Sequence, residues 1–259
     1  MPAFIHETAI VNPGASIGND CYVGPFSTIG ESVVLGERVC LDSHVVIDGR
    51  TKIGDDTRVF PFASIGLAPQ DLKYAGEPTA TAIGSRNQIR EFVTIHRGTS
   101  GGGGLTKIGD DNLLMAQAHV AHDCQIGSKV IMANAATLAG HVEIADRANV
   151  GAYSGVHQFC RVGYEAFVGG YSVVVKDAPP FAIIQGNHAK CYGLNRVGMK
   201  RRGYPKDTIE KLHRAYHLLL SAKLNTSQAL EKIKAEIADC KEVDMLVEFY
   251  ETTTRGVVK

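Results

Sequence analysis

An aliphatic residue recurs at every sixth position over most of this chain, up to Val174. One run extends from Ile5 to Ile65, a short run from Ile83 to Ile95, and a third from Ile108 to Val174, one residue out of phase with the others. An α-helix repeats every 3.6 residues and a strand every two residues. A period of six is instead typical of a parallel β-helix, in which short strands stack coil upon coil. The repeat therefore predicts a mainly β protein in which one aliphatic residue of each hexad points inward.

Glycine directly follows the inward residue in twelve hexads, for example at Gly18, Gly54 and Gly127. Glycine at such a position allows a corner with positive φ or a close approach between two backbones. The pattern resembles that of hexapeptide-repeat proteins. That resemblance implies a left-handed parallel β-helix in which three hexads close one triangular coil of about 18 residues.

The repeat is interrupted twice, and we expect a loop to leave the coils at each interruption. From Ile65 to Ile83 the spacing equals one whole coil, but acidic residues stand at the inward positions, so residues 66–82 are predicted to form a loop. The second loop, 97–107, contains four consecutive glycines and is expected to be flexible. The β-helix with its two loops is predicted to cover residues 1–190.

The period changes to 3.6 residues near residue 204, which predicts a C-terminal α-helical domain over residues 191–259. We expect one helix to begin near Asp207 and end near Leu220, a second to be capped by Thr226, and a third to cover residues 243–250. Such a domain would cover the open last coil and prevent edge-to-edge pairing there.

Composition and charge exclude several classes of protein. The 27 basic and 27 acidic residues leave no net charge, so nothing favours nucleic acid or an anionic membrane as a partner. No apolar stretch is long enough to span a membrane, and the first residues do not resemble a signal peptide. The six cysteines show no paired spacing, which favours free thiols in a reducing compartment. We therefore predict a cytoplasmic protein without membrane insertion.

Counting by 18 within the uninterrupted third run brings several histidines to one edge of the prism. The residues that gather there are His119, His122, Asp123, Gly140, His141, His157 and Gln158. Imidazole is a general base near neutral pH, and a backbone N–H without a shielding side chain can stabilise an oxyanion. His122 is therefore the candidate base, and Gly140, one coil above it, the candidate oxyanion donor. Asp123 could fix the imidazole tautomer, although adjacent side chains on a strand are expected to point apart.

Several motifs at these spacings resemble one family of enzymes over essentially the whole chain. They are HVAHDCQIG (119–127), TLAGHVEI (137–144), VHQFCRVG (156–163), QDLKYAGEPT (70–79), TIHRGT (94–99), QGNHA (185–189) and MKRRG (199–203). The chain resembles the acyl-[acyl-carrier-protein]–UDP-N-acetylglucosamine O-acyltransferase family, whose members take the first step of lipid A synthesis. The resemblance implies a homotrimer with sites between adjacent subunits, and neither a cofactor nor a metal. The implied substrates are UDP-N-acetylglucosamine and a 3-hydroxyacyl chain on acyl carrier protein.

The resemblance also implies roles for individual residues. His122 matches the general base of the family and Gly140 its oxyanion donor. Sugar and phosphate contacts in the first loop are matched by Gln70, Asp71 and Lys73. The residues lining the nucleotide-sugar and acyl site are matched by His119, His141, His157 and Gln158, and those around the nucleotide by Asn195, Arg201 and Arg202. His96 and His188 lie in matching motifs and are also expected to contact substrate.

Two further positions bear on specificity. The family often has an acidic residue two positions after the asparagine, where this chain has Val197, so a carboxylate contact is absent there. Gly170 matches the acyl-chain ruler and should stack over Ala152 and Asn134. Small side chains leave a groove open, which predicts a long acyl chain of about fourteen carbons by analogy with the family.

Other interpretations stay open on the sequence alone. The related glucosamine N-acyltransferase normally has an additional N-terminal uridine-binding domain, for which a repeat starting at Ile5 leaves no room. A zinc hydratase of the hexapeptide class could use three histidine ligands, here His96, His119 and His122. Cys124 or Cys160 could act as a nucleophile near the same edge. A non-enzymatic scaffold or ice-binding surface would need regular rows of threonine, which this chain does not have.

Overall fold

The computed structural model describes all 259 residues, as a stack of β-coils followed by four α-helices. Three parallel sheets form the sides of the stack, and successive strands of the chain lie in the first, second and third sheet in turn. In the third run the partners are 18 residues apart, as where Val120 pairs with Leu138 and Leu138 with Val156. The parallel β-helix predicted from the six-residue repeat is confirmed.

Each sheet is made of short strands. The first sheet contains Phe4–Ile5, Tyr22–Val23, Cys40–Leu41, Arg58–Val59, Gln88–Ile89, Leu113–Leu114, Ile131–Met132, Asn149–Val150, Phe167–Val168, Ala182–Gln185 and Lys190–Leu194. The second sheet contains Ile10–Val11, Thr28–Ile29, Val46–Ile47, Ser64–Leu67, Thr94–His96, His119–Val120, Thr137–Leu138, Gly155–Val156 and Val173–Val174. The third sheet contains Ser16–Ile17, Val34–Leu35, Arg50–Ile53, Ala80–Ile83, Leu105–Ile108, Gln125–Ile126, Glu143–Ile144 and Arg161–Val162.

The core is the interior of the coil stack. The inward aliphatic residues, such as Leu41 and Leu138, are completely buried. A second inward row, four positions after the first, holds smaller residues such as Cys124, Val130 and Ala136, which are also completely buried. The large residue fills one side of the coil and the small residue sits near the next corner, so both rows belong to one continuous apolar core.

At most corners, the residue three positions after the inward residue has a positive φ. The residues there are rarely glycine, for example Asp20 (φ +58°) and Asp123 (φ +61°). The glycines that follow the inward residues, except Gly66, do not have positive φ and serve for close backbone approach instead. A Cβ on Gly18 would lie 2.3 Å from the carbonyl oxygen of Gly36 on the next coil. Of the two explanations for these glycines, close approach is therefore the correct one.

The two interruptions are shorter than predicted. Strands continue to Leu67 and resume at Ala80, so the first excursion covers residues 68–79 rather than 66–82; the second covers 97–104 rather than 97–107. Ser64 pairs with Thr94 across 30 residues instead of 18, an insertion of 12. The expectation that Ile65 to Ile83 spans a whole coil is therefore wrong, because these residues lie in consecutive sheets and are separated by one side of a coil plus the insertion.

The C-terminal helices are Arg196–Arg201, Lys206–Leu220, Thr226–Glu236 and Lys241–Glu251. The first was not predicted, because it has only six residues. The third is capped by Asn225 rather than by Thr226, through a capping box with Gln228. The strand Lys190–Leu194 runs antiparallel to Ala182–Gln185 and joins the last coil to these helices. None of the helices has the length and apolar character of a membrane span.

The three edges of the prism carry different side chains. The histidine edge, between the second and third sheets, holds the column His122, Gly140 and Gln158 beside the column Asp123, His141 and Phe159. The aromatic edge, between the first and second sheets, holds the stacked rings Phe26, His44, Phe62 and Phe92, and higher up Tyr153 and Tyr171. The charged edge, between the third and first sheets, holds ion pairs such as Arg38–Asp56 and Arg86–Asp111.

Candidate active site

His122 and Asp123 form a hydrogen-bonded pair on the histidine edge. The distance from His122 Nδ1 to Asp123 Oδ2 is 2.8 Å. Sequence reasoning expected these adjacent side chains to diverge, but the strand ends at Val120 and both residues lie in the corner that follows. The positive φ of Asp123 turns its side chain back toward the imidazole. The corner of the coil therefore produces a contact that a strand would prevent.

The Asp123 side chain is completely buried, and the second excursion supplies hydrogen bonds to its carboxylate. Its Oδ1 accepts a hydrogen bond from the Thr99 N–H (2.9 Å), and its Oδ2 accepts one from the Thr99 hydroxyl (2.7 Å). The Asp123 N–H donates to the Thr106 hydroxyl at 2.8 Å. Both carboxylate oxygens thus act as acceptors. Since the carboxylate accepts, the shared proton of the His122 pair lies on Nδ1, and Nε2 carries the free lone pair.

Gly140 lies against the His122 ring. A Cβ at position 140 would be 2.6 Å from His122 Cε1 and 2.8 Å from Nε2, so any side chain would displace the ring. Gly140 is buried, and its N–H donates no hydrogen bond within the chain. A buried N–H without a partner is uncommon and costly. The position therefore offers an unused donor next to the free nitrogen of His122.

His96 and His119 extend the edge toward the first excursion. Their rings meet edge to face at 5.1 Å, and the His119 Nδ1 is 2.7 Å from the Thr94 hydroxyl. His96 is only 7% exposed, and its Nδ1 has no hydrogen-bond partner. Burial, and secondarily the neighbouring histidines, lowers the pKa of His96 to about 4. Burial also lowers the pKa of His119. Both rings are therefore neutral near pH 7.

His141 and His157 lie on the coils above. His141 stacks on Phe159 with ring centroids 4.4 Å apart and meets the His122 ring edge to face at 5.1 Å. Burial lowers the pKa of His141, while the nearby Asp123 opposes that effect. His157 and Gln158 are exposed, and the Arg255 guanidinium donates to His157 Nδ1 at 3.2 Å. The two exposed residues remain open to a ligand.

The first excursion approaches the same edge. Asp71 is close enough to act electrostatically on His141, raising its pKa. Asp71 Oδ1 accepts a hydrogen bond from the Lys73 N–H at 2.9 Å, and the side chains of Gln70 and Lys73 are exposed. The side chains of Gln70 and Lys73 are therefore open to a ligand, whereas one oxygen of Asp71 is already bonded within the loop.

The residues matched to the nucleotide lie elsewhere on the chain. Asn195, Val197, Arg201 and Arg202 line a depression of about 360 Å³ on the outer face of the first sheet. Asn195 caps the helix Arg196–Arg201 by accepting from the Gly198 N–H at 2.9 Å, and Arg202 pairs with the buried Glu165 at 3.2 Å. In a triangular prism the first sheet is opposite the edge where the second and third meet. The depression and His122 are therefore on opposite sides of one chain.

Gly170 and His188 also lie away from His122. Gly170 is at the aromatic edge, directly above Ala152, whose carbonyl oxygen would be 3.2 Å from a Cβ at position 170. Tyr153 and Tyr171 stack beside it with ring centroids 5.2 Å apart. His188 is exposed and follows Asn187, which bridges to Val173 in the second sheet. Neither residue can contact His122 within the same chain.

A cavity of about 580 Å³ lies next to the histidine edge, and sequence reasoning did not find it. It is bordered by Asp123, His141 and Phe159 on one side and by Thr252 and Thr254 of the C-terminal segment on the other. The contribution of the C-terminal segment could not be read from the repeat, because that segment folds back along the third sheet after the helices. The carboxylate partner Thr99 was missed for a similar reason, since it lies in a non-periodic loop.

The structure favours neither a cysteine nucleophile nor a zinc site made of His96, His119 and His122. All six cysteines are free. Burial raises the pKa of the Cys124 thiol to about 12, and burial also raises that of Cys160, so neither is a ready thiolate. One set of three potential ligand residues has its donor atoms within 4.8 Å of one another; it consists of His122, Asp123 and His141. His96 and His119 are not part of it.

The repeat and the histidine–carboxylate edge place the protein among hexapeptide-repeat acyltransferases with a left-handed β-helix. A family model for bacterial transferase hexapeptide repeats matches residues 14–49 and 105–140, and one for domain 2 of UDP-N-acetylglucosamine O-acyltransferase matches residues 177–258. LpxA from Acinetobacter baumannii is 44% identical with a TM-score of 0.96, and the match covers 98% of this chain and 99% of that chain.

Two further solved structures give the same result. The UDP-N-acetylglucosamine O-acyltransferase of Moraxella catarrhalis is 42% identical with a TM-score of 0.96 over 98% of this chain and 99% of that chain. The UDP-N-acetylglucosamine acyltransferase of Arabidopsis is 33% identical with a TM-score of 0.87, and the match covers 99% of this chain and 100% of that chain. The chain belongs to the UDP-N-acetylglucosamine O-acyltransferase family. The predicted fold and the predicted enzyme class, an O-acyltransferase, are both confirmed.

Proposed function

We propose that the protein transfers a 3-hydroxyacyl chain from acyl carrier protein to the glucosamine 3-hydroxyl of UDP-N-acetylglucosamine, the first step of lipid A biosynthesis. The observation that carries this proposal is the His122–Asp123 pair beside the unpartnered N–H of Gly140. Acyl transfer to a hydroxyl needs a base for the hydroxyl proton and a donor for the oxyanion. The pair and the glycine supply both within one corner of the coil.

His122 acts as the general base. Its Nδ1–H is bonded to Asp123, so the lone pair of Nε2 is available for the sugar hydroxyl. The hydroxyl oxygen attacks the thioester carbonyl as Nε2 takes its proton, and the imidazolium is stabilised by the buried carboxylate. The imidazolium then returns the proton to the departing thiolate. The transfer is direct, and no covalent acyl-enzyme forms.

Gly140 stabilises the tetrahedral intermediate. The residue is buried and packs against the imidazole that removes the proton, and its N–H has no partner within the chain. A preorganised donor of this kind is worth roughly 10²- to 10³-fold in rate. Because a side chain at position 140 would overlap the His122 ring, glycine both exposes the donor and leaves room for the base.

The active enzyme is a homotrimer. Family members' nucleotide contacts match Asn195, Arg201 and Arg202, which lie on the side of the prism opposite His122. A single chain cannot place one small substrate against both surfaces. A cyclic trimer, which the resemblance to the family implies, brings them together when the first sheet of one subunit faces the histidine edge of the next.

Substrate contacts divide accordingly between neighbouring subunits. Gln70, Asp71 and Lys73 of the first excursion reach the sugar and phosphates near His122. Arg201 of the next subunit neutralises the nucleotide from the first-sheet depression, where Val197 contributes an apolar contact in place of a carboxylate. The acyl chain extends to Gly170 on the aromatic edge, and the absence of a side chain there admits a long chain. The free thiols are in keeping with a cytoplasmic setting.

The test is a product assay with purified protein, UDP-N-acetylglucosamine and a mixed set of acyl-carrier-protein thioesters, read by mass spectrometry. The expected product is an O-acylated nucleotide sugar carrying a 3-hydroxyacyl ester. His122→Ala should lower kcat by about 10²- to 10⁴-fold, whereas His213→Ala, on an exposed helix surface, is the matched control and should leave it unchanged. Near wild-type kcat in His122→Ala, or the absence of an ester product with every thioester, would contradict the proposal.

A further inference from the structure

The second excursion, residues 97–104, is folded around the Asp123 carboxylate. A Cβ on Gly102 would lie 2.0 Å from Asp123 Cγ, and one on Gly98 would lie 2.8 Å from Oδ1. The glycines therefore let the backbone pass in direct contact with the carboxylate. The Asp123 side chain has no exposed surface, so protein donors replace the water that would otherwise solvate it.

Thr99 supplies two of the three hydrogen bonds that this carboxylate accepts. Its N–H bonds to Oδ1 at 2.9 Å and its hydroxyl to Oδ2 at 2.7 Å, while His122 Nδ1 bonds to the same Oδ2 at 2.8 Å. Thr99 is 6% exposed and has an extended backbone, with φ of −120° and ψ of 156°. The hydroxyl and the imidazole therefore share one oxygen atom, and the strength of one bond affects the other.

The position of Thr99 is fixed from outside the edge as well. Ser100 donates to Glu77 Oε1 through its hydroxyl at 3.0 Å and through its N–H at 3.3 Å. Glu77 belongs to the first excursion, which also carries Asp71. The two loops thus form one connected layer over the pair, although they are inserted at different coils.

We propose that Thr99 is a positioning residue, whose hydroxyl holds the Asp123 carboxylate in the orientation that keeps the His122 proton on Nδ1 and Nε2 free to act as base. This inference rests on the proposed function of His122. A carboxyl group rotates readily about its last bond. If the Thr99 hydroxyl is removed, the Thr99 N–H on Oδ1 is the one bond from this residue that remains. The carboxylate can then turn, and the imidazole loses the partner that selects its tautomer.

The pair has few other charged neighbours that could take over this role. Asp123 is the one carboxylate in contact with the His122 ring. His141 meets the ring edge to face at 5.1 Å, and His96 and His119 lie close enough to interact electrostatically with it. Burial lowers the pKa of each of these three histidines, so they are neutral near pH 7 and add no positive charge that would compete for the Asp123 carboxylate. Asp71 affects these residues by its electrostatic effect on His141, whose pKa it raises.

Three variants separate the hydroxyl from the shape of the side chain. Thr99→Val keeps the branched shape and removes the hydroxyl, Thr99→Ser restores the hydroxyl without the methyl group, and Thr99→Ala replaces valine if that variant does not accumulate as folded protein. We expect kcat to fall by about 10- to 100-fold in Thr99→Val with little change in KM, because a hydrogen bond to a charged group is lost. Thr99→Ser should stay within about threefold of wild type.

Two readouts distinguish positioning from a structural effect. With the carboxylate free to turn away, Asp123 stabilises the imidazolium less, so the acid limb of the kcat/KM profile should move to lower pH in Thr99→Val and return in Thr99→Ser. Nitrogen NMR of labelled histidine should show the His122 Nδ1 signal of a protonated ring nitrogen in wild type and a tautomer mixture in Thr99→Val. Loss of kcat with an unmoved acid limb and an unchanged Nδ1 signal would overturn the inference, as would a serine variant no better than valine. The NMR result stands without turnover, whereas the product assay alone tests the proposed reaction.

Discussion

The burial of His96 should make the protein less stable as the pH falls below neutrality. His96 ends the strand Thr94–His96, is 7% exposed and leaves Nδ1 without a partner. Burial, reinforced by His119 and His122, lowers its pKa from an ordinary value of 6.5 to about 4. The folded subunit therefore resists a proton that the unfolded chain accepts readily.

The sign and the magnitude follow from proton linkage. Above pH 6.5 His96 is unprotonated in both the folded and the unfolded chain, so its burial does not reduce the free energy of unfolding. Between pH 6.5 and 4 the unfolded chain binds the proton and the folded chain does not, so the free energy of unfolding decreases as the pH falls. A difference between 6.5 and about 4, at about 1.4 kcal/mol per pH unit, amounts to roughly 3 kcal/mol per subunit. Below pH 4 no further loss arises from His96.

The measurement is urea unfolding between pH 7.5 and 4.5 at one fixed protein concentration, because any assembly contributes to apparent stability. His96→Gln has a side chain of similar size that does not titrate, and it should lose about 2 to 3 kcal/mol less than wild type over this range. His213→Gln, on an exposed helix surface, should follow the wild-type curve. If the free energy of unfolding changed equally with pH in wild type and His96→Gln, the reasoning would be refuted, since the pH dependence would then arise from other residues.

Two further predictions concern the glycines of the site. In Gly140→Ala the new Cβ, 2.6 Å from His122 Cε1, should push the ring away from Asp123 and lower kcat by about 10²- to 10³-fold. Steady-state kinetics would show this loss, and an unchanged urea unfolding curve would show that the fold is intact. A wild-type kcat would show that the ring has room for the added methyl group. In Gly170→Met the side chain should project from above Ala152 into the acyl groove, so products of a mixed thioester pool should shift to shorter chains in mass spectrometry. An unchanged chain-length distribution would exclude Gly170 as the ruler.

The regular part of the fold could be predicted in detail because the coil interior accepts one kind of residue. Each inward position is surrounded by its counterparts on the coils above and below, so only aliphatic side chains fit and the period appears directly in the sequence. The same regularity allowed Gly140 and Gln158 to be placed over His122 by counting, and the strand register agrees. Periodicity is a strong signal where neighbours in space are fixed distances apart along the chain.

Corner geometry could not be predicted from local preferences. Positive φ is unfavourable for residues other than glycine, yet Asp123 and His141 adopt it because the stacked coils impose the turn at that position. The contact between His122 and Asp123 depends on this turn, so a rule valid for strands gave the wrong expectation. Tertiary structure overrides local preference here, at the very residues proposed to act in the reaction.

The non-periodic contacts were beyond the reach of the sequence for a different reason. Thr99 meets Asp123 across 24 residues, and Thr252 and Thr254 reach the adjacent cavity after the chain has passed through all four helices. No spacing rule links such positions, because the intervening segments leave the coil and return. They could be found only once the path of the excursions was known.

The division between periodic and inserted residues has a consequence for how such a site can change. The backbone groups of a coil bond to the coils above and below, so the location of His122 is determined by the whole stack and tolerates little adjustment. Two of the three donors on the Asp123 carboxylate belong to Thr99 in an inserted loop, where Gly102 lies directly against the carboxylate. A substitution at Thr99 can therefore alter the hydrogen bonding of the base while leaving its position unchanged. The stack determines the position of His122, whereas the inserted loop determines the hydrogen bonding that sets its basicity. The basicity and the position of His122 can therefore vary independently.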